Sequence, residues 1–397
     1  MRFPYLFARW WLLPLLPLVA SAGVLAAPFT PTSDQQVLEV LPARAADPRM
    51  QALRELRAAA TRQPDDANAA VRLAQRYYAE VAAEGDPRYI GYAQAALAPW
   101  WALPEPPAPV RVMRAILLQF NHQFDAALAD LGAAVQQDPR NGEAWAWQAA
   151  IHMVRADYPS ARRACEQVAQ LATPLIGAAC FAHVDSHTGQ AAAAVNSLQA
   201  ALSKAPAATP EEQLWALTRL GEVEERRGRP VEAEAAFQRA LALGHADVYL
   251  LAAYADFLLD RGRAADVLVL LKDQARSDLL LLRLALAAKA TNDPRGAAWR
   301  ADLAARFEAA RLRGDATHQK EESRFVLGVL GQAEPALVLA RQNYAVQREP
   351  ADARILLEAA VAARQPAAAE PVLQWMASSR IESVALQALA RQLKGGQ

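Results

Sequence analysis

The stretch from Leu214 to Asp247 constrains this chain more than any other. Large apolar residues recur there at helical spacing, stop at Arg226-Arg227-Gly228-Arg229-Pro230, and resume on a second helical pattern. Numbered from Leu214, the large residues Leu217, Leu220 and Phe237 fall at positions 4, 7 and 24. The small residues Gly221, Ala233 and Ala240 fall at 8, 20 and 27, and Gly228 marks a turn at 15. Two helices of a hairpin approach closely only where small side chains meet the facing helix, so the pattern predicts a tight helix pair.

The same unit of 34 residues returns along the chain. Units begin near Ala67, Ala108, Gly142, Leu175, Leu214, Val248, Asp278, Thr317 and Pro350, with small residues such as Ala115, Ala149 and Ala182 at position 8. Arg324 at position 8 of the eighth unit is a misfit. In period and two-helix pattern the chain resembles the tetratricopeptide repeat family, over roughly residues 67 to 376. The resemblance implies an all-α fold, a right-handed α-solenoid of stacked antiparallel helix pairs. The expected organisation is a leader and capping helix over 28–66, an array of about nine units over 67–380, and a C-terminal capping helix over 381–397.

Residues 1–27 differ in kind. Arg2 and Arg9 precede the apolar run Trp10 to Ala20, and Ala20-Ser21-Ala22 and Val24-Leu25-Ala26 are small-residue cleavage sites, so a signal peptide cut after Ala22 or Ala26 is expected. This places the mature chain outside the cytoplasm, in a bacterial periplasm. An uncleaved anchor facing the periplasm is the alternative, because the apolar run barely reaches the length of a membrane span. No other membrane segment is expected. Lys plus Arg number 42 and Asp plus Glu number 42, so no basic excess points to nucleic acid. No phosphate loop, dinucleotide fingerprint, nucleophile elbow or metalloprotease motif occurs, so neither an enzyme nor a cofactor is expected.

In the family it resembles, ligands lie on the concave face, at positions 2, 5, 6, 9, 12 and 13 of each first helix. Those positions carry Val112, Met113, Ile116 and Phe120 in unit two and Trp147 in unit three. They carry Cys180, His183 and His187 in unit four, Trp215, Arg219, Glu222 and Arg226 in unit five, and Tyr249, Asp256 and Asp260 in unit six. The face thus runs from apolar to charged. A partner protein segment is expected in this groove, held by Val112, Met113, Ile116, Phe120, Trp147, Trp215, Arg219 and Tyr249. Coverage of the apolar part by the chain itself is the competing reading. Cys180, His183 and His187 share one helix face at spacings of three and four, which also suits a zinc or copper ion. Cys165 and Cys180, the only cysteines, are candidates for a disulfide, which would remove Cys180 as a ligand. The leading reading is an exported interaction scaffold. A periplasmic metal-handling protein and a membrane-tethered assembly factor are the alternatives.

Overall fold

A computed structural model describes residues 48–395 except 316, together with Ser33. The expected signal peptide and leader, residues 1–47, lie outside the described residues apart from Ser33. The fold is an all-α solenoid, with no strand among the described residues. Helix α1 (Pro48–Arg62) packs on the first of nine successive helix pairs. Unit one is α2 (Ala67–Glu84) with α3 (Arg88–Ala96), extended by the short α4 (Ala98–Trp101). Then follow α5 (Ala108–Phe120) with α6 (Phe124–Gln137), α7 (Gly142–Val154) with α8 (Tyr158–Leu171), and α9 (Pro174–His187) with α10 (Ala191–Lys204). The fifth and sixth pairs are α11 (Pro210–Arg226) with α12 (Pro230–Leu241), and α13 (Val248–Asp260) with the short α14 (Ala264–Leu270). The last three are α15 (Asp278–Thr291) with α16 (Gly296–Leu312), α17 (Gln319–Gly328) with α18 (Ala333–Val346), and α19 (Pro350–Ala362) with a 3₁₀ turn (Pro366–Ala369) and α20 (Glu370–Ser379). Helix α21 (Val384–Gly395) ends the array.

Local chemistry starts and stops these helices. Side chains of Asn141, Asp157, Thr173, Thr209 and Asp247 accept from backbone N–H groups of the first turn that follows each. Thr209 and Glu212 form a capping box, so α11 begins at Pro210, four residues before the hydrophobic pattern does. At position 15 of units two to nine the backbone is left-handed: His122, Ala156, Gly189, Gly228, Gly262, Asn292, Gly331 and Arg364 all have φ between 53° and 79°. Each hairpin therefore reverses through one residue in a conformation that costs a non-glycine residue about 1 kcal/mol or more. Four of the eight units accept that cost.

The close crossing lies where the pattern puts it. A Cβ on Gly221 would stand 2.6 Å from the Phe237 ring, which is fully buried. Position 24 of the second helix thus fills the gap left at position 8 of the first. The misfit at Arg324 has a local cause. In unit five the N–H of Arg229 bonds the carbonyl of Glu224, five residues back, whereas in unit eight the N–H of Gln332 reaches six residues back to Val326. One extra residue lies between α17 and its turn. The register before it shifts, so Ser323 takes the small position, buried and donating from Oγ to the Ala336 carbonyl at 2.8 Å. Arg324 turns inward instead.

The solenoid coils tightly enough for its last units to meet the hairpin turns of units two to five. Gln347 Nε2 lies 3.0 Å from His122 Nε2, and the Arg348 N–H donates to the Val154 carbonyl at 2.8 Å. Trp375 Nε1 donates to Tyr158 OH at 2.9 Å, and the Ala191 N–H donates to Glu382 Oε1 at 3.1 Å. Gly189 lies against Arg380 and Gly228 against Val384, each where an added Cβ would meet a neighbour at 3.1 Å.

Gly221→Ala is expected to destabilise. Helix propensity favours Ala by about 1 kcal/mol, but overpacking the immobile Phe237 ring costs about 1–3 kcal/mol. A lowered thermal midpoint, restored by adding Phe237→Leu, is the expected result. An unchanged midpoint in the single variant would refute the crossing.

Candidate functional site

Burial separates the expected groove residues into two sets. Val112, Met113 and Ile116 are 4%, 1% and 3% exposed, inside a core with Leu53, Val71 and Tyr77. These three do not line an open groove. The reason is that α5 is enclosed by α2, α3, α6 and α7. Phe120, Trp147 and Trp215 are half-buried at core margins, with Trp147 edge-on to Tyr78 at 6.1 Å between centroids. Arg219 and Tyr249 stand elsewhere, on the wall of a cavity along the inner face.

That cavity, about 360 Å³, is lined by the first helices of units four to nine and bordered by the start of α21. Its lining follows the concave positions of the repeat: His183, Arg219, Tyr249, Arg283 and Arg354 occupy positions 9, 6, 2, 6 and 5 of their units.

The wall is dense in charge, and most of it is paired. Asp256 accepts from Arg283 Nη2 at 2.6 Å and Arg324 Nη2 at 2.7 Å. Arg354 spans Asp260 and Glu358, with its Nη2 2.7 Å from Asp260 and its Nε 2.7 Å from Glu358. Arg219 donates to Glu222 at 2.8 Å and to Tyr249 OH at 2.9 Å, with its guanidinium 4.9 Å above the Tyr249 ring. Lys320 is 3.7 Å from both Glu321 and Asp352. Burial alone would raise the Asp256 carboxyl; the two guanidiniums outweigh it and hold the pKa below the usual carboxylate range. Glu225 moves the other way. Burial, and then the like charges of Asp260 and Asp256, push its carboxyl up to about 8.

Cys180, His183 and His187 do not assemble a metal site. The Cys180 sulfur is bonded to Cys165, tying α8 to α9. Among the described residues no group of three or more His, Cys, Asp or Glu is placed to hold a metal. His187 Nδ1 donates to the His183 carbonyl at 2.7 Å, which leaves Nε2 as its acceptor. Burial first, and then the nearby guanidiniums, hold both imidazoles well below their ordinary pKa, so they are neutral.

The wall residues contributed by units seven to nine, Arg283, Lys320, Glu321, Arg324, Arg354 and Glu358, were not predicted from sequence. Carrying the concave positions through unit seven identifies Arg283. In unit eight the extra residue displaces them by one, which hides Lys320, Glu321 and Arg324.

No protein-family model matches the sequence, and no curated protein does. Among solved structures, the chain is similar to PilW, a type IV pilus biogenesis factor, at 20% identity and a TM-score of 0.40, over 51% of this chain and 94% of that one. It is similar to a tetratricopeptide repeat protein from Parabacteroides merdae at 13% identity and 0.43, over 59% and 92%. It is also similar to Cut9 in complex with Hcn1 at 12% identity and 0.47, over 83% and 63%. The helix pairs of the chain, with their small position 8 and left-handed position 15, are of tetratricopeptide type.

Asp256→Asn strands two inward guanidiniums and is expected to cost about 3–5 kcal/mol. The pH dependence has a definite sign. A carboxyl held low in the folded state adds stability that is complete above its unfolded pKa of about 4 and is lost as pH falls below it. Thermal midpoints of the native chain are expected to drop between about pH 5 and pH 3, and those of the variant to drop less. Parallel curves for the two proteins would contradict the assignment.

Proposed function

We propose that this chain is an exported protein-interaction scaffold of the periplasm that binds rather than catalyses. A stacked array of helix pairs is a structural scaffold with long continuous surfaces. The observation that carries the exported reading is the Cys165–Cys180 disulfide, since such bonds persist in oxidising compartments. The signal-like residues 1–27 agree with it, and no helix of the described residues is long and apolar enough to cross a membrane.

The partner segment docks at the half-buried aromatics of units two and three, Phe120 and Trp147, rather than at Val112, Met113 and Ile116. Aromatic anchors that become fully desolvated dominate many interfaces. Arg219 and Tyr249 serve the inner-face cavity in this reading.

Two measurements test the proposal. A reporter enzyme that works only after export, fused to the C-terminus, is expected to be active; activity of a cytoplasm-only reporter in its place sinks the localisation. Trp147→Ala and Phe120→Ala are each expected to weaken partner capture by about 2 kcal/mol with circular dichroism unchanged. Undiminished capture by both folded variants would remove this surface as the docking site.

A further inference from the structure

After the pairs on the cavity wall are matched, two opposite groups remain on consecutive residues of α11. Arg226 has no carboxylate within ion-pair distance among the described residues; its Nη2 donates to Ser186 Oγ at 2.9 Å, and Ser186 Oγ donates in turn to the His183 carbonyl at 2.9 Å. The Glu225 side chain is neither hydrogen-bonded nor ion-paired among the described residues, although it lines the same cavity, and with its carboxyl pushed up to about 8 it is mostly protonated at neutral pH until a cation stands beside it. Glu349, the other acid without an ion-pair partner on this wall, stands at the N-cap of α19, where backbone N–H groups face it. Side chains at i and i+1 of a helix diverge, so Arg226 and Glu225 do not satisfy each other. An isolated charge in such a setting is costly and is ordinarily matched. The same lining includes the apolar side chains of Ala252, Ala253, Leu282, Ile355 and Leu386. The volume, about 360 Å³, lies at the small end of ligand pockets.

We propose that the cavity binds a small zwitterion of apolar amino-acid type, its carboxylate on Arg226, its ammonium on Glu225, and its side chain against the apolar wall. The ligand's carboxylate supplies the counter-charge that Arg226 lacks, and its ammonium draws the proton from the Glu225 carboxyl and pairs with it.

The test is calorimetric titration of the full mature chain with L-alanine, L-valine and L-leucine. Two single-charge controls share the leucine skeleton: 4-methylpentanoate lacks the amine and isoamylamine lacks the carboxylate. At least one amino acid is expected to bind saturably and raise the thermal midpoint, with both controls at least tenfold weaker. Arg226→Gln and Glu225→Gln are each expected to lower affinity at least tenfold, with Arg226→Lys intermediate. Without ligand, Arg226→Gln is expected to melt at or above the native chain, because it removes an unmatched charge. A merely structural Arg226 would melt lower. No saturable binding of any of the three amino acids overturns the proposal. Equal binding of 4-methylpentanoate overturns its ammonium half, and binding untouched by both Gln variants overturns its location.

Discussion

In most of the helix pairs the backbone of the first helix approaches the second across a small side chain. Gly221 against Phe237 is the tightest instance, and Ser323 beside Ala336 is the polar one. That contact sets the interhelical distance, and the distance sets the wedge angle of each unit. The stacked wedges coil the ribbon until its last helices meet the turns of units two to five. The cavity follows from that coiling, because residues that would face an open groove in a looser coil here face one another.

The inner wall shows what happens when a polar concave face is shut. Guanidiniums and carboxylates lose water and must find partners across helices. Asp256 on α13 does this for Arg283 on α15 and Arg324 on α17; Asp260 does it for Arg354 on α19. The bonds join unit six to units seven, eight and nine, so the electrostatics reinforce the coil that created the need for them. Arg226 and Glu225 stand out against this completeness.

The repeat and its period were legible because small and large residues alternate at fixed positions, and packing at a helix crossing tolerates little else. The concave charge of units five and six was legible for the same reason. Three things were not. The start of α11 at Pro210 is set by a capping box rather than by hydrophobic period, although Thr209 and Glu212 display it. The extra residue after α17 leaves the hydrophobic spacing nearly intact and shows itself only as the odd Arg324. The burial of Val112, Met113 and Ile116 depends on how α2 and α3 enclose α5, which is a matter of tertiary packing and not of register. Repeat position says which way a side chain points, and coiling decides whether anything stands in front of it.

The bonds between the last units and the early turns have a kinetic consequence. A repeat array made only of neighbour contacts folds as quickly as its local pieces and can fray unit by unit. Here Gln347 reaches His122 across 225 residues, and Trp375 reaches Tyr158 across 217. Such separations raise contact order, so closing the coil is the slow step of folding and opening it is shared by many units at once. At synthesis rates of 5–20 residues per second, His122 emerges about 10–45 s before the glutamine that covers it. The early units must hold their shape as an unfinished coil for that interval.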